Sequence, residues 1–209
     1  MDMLDFYIRV VKALDEIGAA YMIVGAFGGT IYGITRATHD IDIIVDLNEK
    51  ECEALSNKFP LPRYYADPEM IRNSIEMGIM FNIIDSSEGI KADIVPLKRE
   101  PDYQLAFNRR IRETFTDEND RPFDAWVAQP TDIIIGKLDA WNEGRSNKHP
   151  DDIFAILFFC LRGFSNYQVD LEEVAEQAAR IGSETLNIWL RTLARAKEEI
   201  EKEDTPRKW

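Results

Sequence analysis

Three aspartates have the side chains and the spacing to do chemistry. Asp40 and Asp42 lie in Thr38-His39-Asp40-Ile41-Asp42-Ile43-Ile44-Val45, which reads as an extended run over 40–46. Successive side chains of a strand alternate, so positions 40 and 42 share a face while the isoleucines seek a core. Two neighbouring carboxylates repel and resist desolvation, an arrangement a cation relieves. Hard oxygen donors at that spacing suit Mg²⁺ or Mn²⁺. Asp93, in Lys91-Ala92-Asp93-Ile94-Val95, is a third acid embedded in an apolar strand. If the two strands pair, the three carboxylates converge. Such a triad is a candidate two-ion site, its cations about 3.5–4 Å apart, activating a hydroxyl and stabilising a departing pyrophosphate.

Just upstream, Val24-Gly25-Ala26-Phe27-Gly28-Gly29-Thr30 follows an apolar strand. Gly25, Gly28 and Gly29 let backbone N–H groups approach an anion. A helix starting near Phe27 would add its positive end. Thr30 offers a hydroxyl and Arg36 a planar cation. A phosphate cradle beside an acidic metal site is what nucleotidyl transfer requires. Each part alone has a plainer meaning: acids at a strand end are common, and a glycine cluster is usually a tight turn. Their conjunction, in order and on strands, carries the reading.

These residues need elements to hold them. Apolar positions 4, 8, 11 and 14 predict a helix over 3–17 closed by Gly18. A short strand over 21–25 and a helical turn over 27–32 follow. Asn48 caps a helix that stops before Pro60, and 68–77 is a helix closed by Gly78. Strands over 79–84 and 91–96 flank a turn at 85–89, and a second hairpin joins 110–116 to 123–128. Beyond Gln129-Pro130-Thr131 the pattern is helical, over 131–144, 151–163, 170–181 and 183–203, with Thr131 and Asp170 as N-caps and Ser183 with Glu184 opening the last helix. The acidic stretch 198–204 is expected to be solvated or frayed. The expected fold class is α+β: a mixed sheet flanked by helices over 1–128, then a helical domain over 129–209.

Composition narrows the partners. With 209 residues, 45% hydrophobic and 30% charged, the chain is an ordinary globular protein. No apolar run approaches the ~20 residues that span a bilayer. The N-terminal MDMLDFYIRVVKALDEIG lacks the basic segment and cleavage site of a signal peptide. Cys52 and Cys160 read as reduced thiols, and with His39 and His149 they suggest no zinc site. A cytoplasmic protein is expected. The net charge of −13 disfavours long DNA unless Lys98, Arg99, Arg109, Arg110 and Arg112 form a basic patch; solvated surface charge is the plainer meaning of that cluster.

The stretch from Val24 to Asp42 resembles the minimal nucleotidyltransferases of the DNA polymerase β-like superfamily. Their signature is an apolar residue, Gly-Gly or Gly-Ser, then Arg-x-Thr-x-Asp-apolar-Asp. Here it reads Val24-Gly25-Ala26, then Arg36-Ala37-Thr38-His39-Asp40-Ile41-Asp42. The later acid of the family matches Asp93. The segment Asp132 to Asp152, with Lys137, Leu138, Ala140, Arg145 and Asp151, is similar to the helical part of the abortive-infection toxin branch (AbiEii type).

The resemblance implies that Asp40, Asp42 and Asp93 bind two Mg²⁺ or Mn²⁺ ions, with Asp93 also activating the acceptor hydroxyl. It implies that Gly25, Ala26, Gly28, Gly29, Thr30, Arg36 and Thr38 hold the nucleotide. Lys137 is a candidate phosphate or nucleobase contact, or else a lysine snorkelling from a packed helix. Arg145 with Asp151 and Asp152 reads first as a structural ion pair. Ala26 departs from the family pattern and offers only its backbone N–H, so phosphate binding is expected to be altered rather than lost, with Gly28 and Gly29 compensating. His39 receives no role.

The implied function is an enzyme transferring an NMP group from an NTP, such as ATP, to a hydroxyl, with release of pyrophosphate. The acceptor would be a protein, an RNA such as tRNA, or a small molecule. The alternative is a toxin–antitoxin partner or regulatory nucleotide-binding protein of the same fold with little turnover. A drug-modifying transferase is a weaker alternative.

Overall fold

The computed structural model of the chain describes residues 3–99, 103–116 and 121–204. The chain divides into two compact units: Met1–Gly28 with Ala37–Ala128, and Gly29–Arg36 with Gln129–Trp209.

The first unit is a sheet with flanking helices. Helix α1 (Met3–Glu16) buries Phe6, Tyr7, Val10, Val11 and Leu14, and the chain turns at Gly18. Strand β1 (Ala20–Val24) runs into a single turn, α2 (Gly25–Gly28). Then come β2 (Asp42–Asp46), α3 (Glu49–Lys58), β3 (Tyr64–Tyr65) and α4 (Pro68–Met77). The hairpin β4 (Phe81–Asp85) and β5 (Ile90–Pro96) precedes α5 (Tyr103–Asn108), β6 (Ile111–Thr116) and β7 (Pro122–Val127). Among the described residues the sheet has seven strands, in the order β3-β4-β5-β2-β1-β7-β6. The β2/β5 and β1/β7 pairs are parallel and the others antiparallel. Ile23, Ile43, Ile83 and Ile94 are fully buried. An aromatic chain, Tyr7 to Phe27 to Phe115 to Phe123, packs with ring centroids 5.5–5.7 Å apart.

The second unit is helical. A 3-10 turn, Gly29–Tyr32, groups with α6 (Pro130–Gly144), α7 (Lys148–Leu161), α8 (Leu171–Ile181) and α9 (Ser183–Asp204). Their apolar stripes bury Ile134, Leu138, Ile153, Leu157, Val174 and Trp189. Gly33, at φ 93, presses its Cα against Phe159, where a Cβ would meet the ring.

The α+β class expected from the sequence is the one observed. Local signals placed most elements well. Asn48 forms a full capping box with Glu51, Asp67 caps α4, Gly78 closes it in the left-handed conformation, and Asp170 caps α8. Three expectations change. Strand β2 starts at Asp42, so Asp40 lies outside it: the Thr38 hydroxyl donates to Asp40 Oδ1 (2.7 Å), and the local bond competes with the ladder. Thr131 is not an N-cap; Gln129 holds that position without a side-chain bond, and the Thr131 hydroxyl accepts from the Asp170 N–H (2.9 Å). The helical turn begins at Gly25 rather than Phe27 and lasts four residues. The stretch 198–204 continues α9 to its end, one residue past the expected 203, with Lys202 bridging the exposed Glu198 and the half-exposed Glu199 on the expected solvated face. Strand β3 and helix α5 had no sequence signal, being two and six residues long.

Candidate active site

The pairing that the sequence left conditional is made. Strands β2 and β5 run side by side with Asp42 opposite Asp93. The same row continues to Val24 on β1 and to Asn82 on β4. Residues directly opposite in a ladder point to the same face, so Asp42, Asp93 and Asn82 stand together. The Asp93 N–H also donates to the Ile41 carbonyl (2.9 Å), extending the pairing one residue towards Asp40.

Asp93 is held on two sides. Asn82 Nδ2 donates to its Oδ1 at 2.5 Å. Lys91, two residues earlier on the same strand face, places Nζ 2.6 and 2.7 Å from Oδ1 and Oδ2. Asp40 is turned by Thr38, whose hydroxyl reaches both its carboxylate and its carbonyl. Beneath them lies Tyr7 of α1, buried, its hydroxyl without a hydrogen-bond partner among the described residues. Burial first, and then the charges of Asp40, Asp93 and Asp42, push its pKa far above the ordinary tyrosine range. One hydroxyl thus senses all three carboxylates.

Gly25 explains its own identity here. At φ 68 it sits in the left-handed region, and a Cβ would overlap Asp42 Oδ2. Its bareness seats the Asp42 carboxylate. Gly28 lacks a side chain for packing reasons, since a Cβ would lie 3.2 Å from the Ile23 carbonyl oxygen. Ala26 is buried in the turn. A four-residue turn lacks the aligned dipoles of a long helix, so the expected positive helix end is not present. A cleft of about 630 Å³ in the same unit, lined by Asp5, Arg9, Lys12, Lys58 and Arg121, includes none of the three acids.

Gly29, Thr30, Arg36 and Lys137 belong to the helical unit. There Arg36 binds Asp152 through Nε (2.7 Å) and Nη2 (2.9 Å), and Lys137 Nζ meets the same carboxylate at 2.6 Å. Lys137 is therefore a buried ion-pair partner rather than a snorkelling lysine. Burial pushes the Asp152 carboxyl up, but the hydrogen bonds from Arg36 and Lys137 overcome it and leave it below the usual range. Beside them His149 is lowered to about 4, by burial first and then by Lys137 and Lys148. Arg145 does not join Asp151 or Asp152: it pairs with Glu184 (2.7 Å) and covers the Trp141 ring, while Asp151 meets Arg195. The basic cluster is also dispersed. Lys98 donates to the Glu76 carbonyl, Arg110 lies over Phe107 and Trp126, and Arg112 pairs with Asp15.

Sequence reasoning missed Lys91, Asn82 and Tyr7, and it read Asp152 as an ion-pair residue but with Arg145 in place of Arg36 and Lys137. The alternation around Asp93 did put Lys91 on its face, and that was the available signal for it.

The donor chemistry of the row fits a hard divalent ion: Asp42 and Asp93 stand opposite each other, above a buried Tyr7 hydroxyl with no hydrogen-bond partner among the described residues. Among the described residues, however, no three His, Cys, Asp or Glu side chains are gathered as a ready metal cage. Thr38, Lys91 and Asn82 already engage Asp40 and Asp93. No helix among the described residues is long and apolar enough to cross a membrane.

No protein-family model and no curated protein matches the sequence. Solved structures do. An antigenic nucleotidyltransferase-like protein from Paracoccidioides brasiliensis shares 13% identity, with 94% of this chain and 89% of that one aligned, at a TM-score of 0.48. The antibiotic-resistance factor ANT(2'')-Ia also shares 13%, over 97% of this chain and 98% of its own, at 0.46. At such scores the likeness adds no argument about residues or substrate; the solved structures this chain is similar to are nucleotidyltransferase-like proteins.

Proposed function

We propose that the chain is a metal-dependent nucleotidyltransferase that moves an NMP group from an NTP to a hydroxyl acceptor. An acceptor oxygen attacks the α-phosphorus, the new O–P bond forms, the bond to the β-phosphate oxygen breaks, and pyrophosphate leaves. The observation that carries the reading is Asp42 opposite Asp93 on adjacent parallel strands. Asp40, Asp42 and Asp93 are the residues to hold Mg²⁺ or Mn²⁺, which would supply Lewis-acid stabilisation of the transferring phosphoryl group. Asp93 is proposed to take the acceptor proton on a carboxylate oxygen. Gly25 keeps Asp42 in position, and Asn82 fixes the orientation of Asp93. Backbone N–H groups of Gly25, Ala26 and Gly28, with the Thr38 hydroxyl, are proposed for the triphosphate. Parts for Gly29, Thr30, Arg36 and Lys137 in nucleotide binding, a protein or tRNA acceptor, a cytoplasmic location and the abortive-infection branch rest on the resemblance alone.

A second reading, a toxin–antitoxin partner or regulatory nucleotide-binding protein with little turnover, draws on one observation: Lys91 covers Asp93. The test is incubation with each α-phosphate-labelled NTP and Mg²⁺ or Mn²⁺, with cell lysate as the acceptor pool. Label transfer that disappears in Asp42→Ala and Asp93→Ala is expected. Absence of transfer with every NTP would sink the enzyme reading and leave the second.

A further inference from the structure

We infer that Lys91 is a built-in counter-cation of the acidic site, holding Asp93 until a divalent ion displaces it. The inference rests on the reading of Asp93 as a metal ligand. Its ground is steric and electrostatic. The Lys91 ammonium lies 2.6 and 2.7 Å from the two Asp93 oxygens, and these are the oxygens a divalent ion would need. An ammonium and a divalent ion on one carboxylate repel each other, and the ammonium spans both oxygens, so the two compete for Asp93; the other groups around the row are less free to yield.

Asp42 is backed against the Cα of Gly25, with no room behind it. Asn82, also in register, is a neutral donor and keeps Asp93 Oδ1 oriented whichever cation is present. Lys91 differs on each count. Its side chain is 46% exposed, against 11% for Asp93. Its flexible stem carries a compact charge that water solvates well, so withdrawal to solvent is inexpensive. Being two residues from Asp93 on the same strand, it stays within reach and returns when the ion departs. Lys91 thus offsets the repulsion between Asp42 and Asp93 in the ion-free protein, and every divalent ion that binds must compete with it.

The consequence is a direct effect of Lys91 on metal affinity, readable without turnover. Titrating the nucleotide-free protein with Mn²⁺ and following the free-ion electron paramagnetic resonance signal gives that affinity. Lys91→Gln is expected to bind Mn²⁺ about tenfold more tightly than the wild type, a change of about 1.4 kcal/mol. Asp93→Asn is expected to lose the site. Lys91→Met, which keeps the stem, stands in if the Gln variant folds poorly, as judged by circular dichroism. Equal or weaker Mn²⁺ binding in both lysine variants, with Asp93→Asn still abolishing it, overturns the inference and leaves the nucleotidyltransferase reading intact. Binding that Asp93→Asn does not disturb, or no binding to wild type and lysine variants alike, overturns both.

Discussion

Asp93 and Asp152 are both buried aspartates held by lysine, yet they sit in different settings. Lys91 reaches Asp93 from two residues away on one strand, and 46% of its side chain is exposed. Lys137 reaches Asp152 from another helix, with 6% exposed, and Arg36 clamps the same carboxylate bidentately from 116 residues away. A buried pair whose partners come from distant segments ties those segments together, and removing one partner strands a charge away from water. A pair with a mobile, wet lysine contributes little to stability and leaves its carboxylate available. The contrast suits the proposed site in the sheet row, and it makes the Asp152 cluster a joint within the helical unit.

The largest expected effect tests the joint. Asp152→Ala should destabilise the protein by about 3–5 kcal/mol, measured by urea denaturation; a loss below about 1 kcal/mol would erase the contrast. Asp85 is an intermediate case. Its carboxylate is fully buried, but its cation, Arg63, is 41% exposed. Burial pushes Asp85 up, and the hydrogen bonds from Arg63 and Ser87 overcome this to hold it at about 2. A depressed carboxyl stabilises above its unfolded value, so this contribution should be whole above pH 3.8 and fade as the pH falls to about 2. Arg63→Ala should lower the melting temperature at neutral pH and flatten its profile across that window.

Gly25→Ala probes the row from its other end. Left-handed backbone costs a side-chain-bearing residue about 1–2 kcal/mol. The added Cβ would also displace Asp42, and NMP transfer should fall about a hundredfold, read by the labelled-NTP assay. Asp93→Ala should do the reverse of Asp152→Ala, abolishing transfer while changing stability by about 1 kcal/mol or less. The smallest effect concerns His149. Held neutral to about 4 when folded, it takes up a proton on unfolding near 6.5, so stability should decline as the pH falls from 6.5 towards 4. His149→Gln should remove that part of the slope and leave the Asp85 window unchanged.

Much of this was legible residue by residue. Capping at Asn48 and Asp170, the Pro68 start and Gly78 stop of α4, and the apolar spacing of α1 are local signals with local causes. Asp42 and Asp93 were recognisable because a carboxylate among isoleucines is costly without a purpose. Asp40 was assigned to the strand because alternation continues through it; the Thr38 hydroxyl bond that ends the strand is a choice between two local partners that periodicity does not rank. Lys137 read as a nucleotide contact or a snorkelling lysine and Arg145 as an ion-pair partner of Asp151 and Asp152; only packing gives the 6% exposed lysine to Asp152 and the 48% exposed arginine to Glu184.

By itself the sequence determined most of the elements, the α+β class and the three acids as candidates, since these depend on neighbours within a few residues. Only the tertiary structure decided what those acids face. Register set Asp42 opposite Asp93, because parallel pairing joins strands separated by some fifty residues of chain. Close approach made Gly25 the seat of Asp42, and burial set Tyr7 under all three charges. Partners in space, which no local pattern encodes, made Asp152 a joint and left Asp93 under one movable lysine.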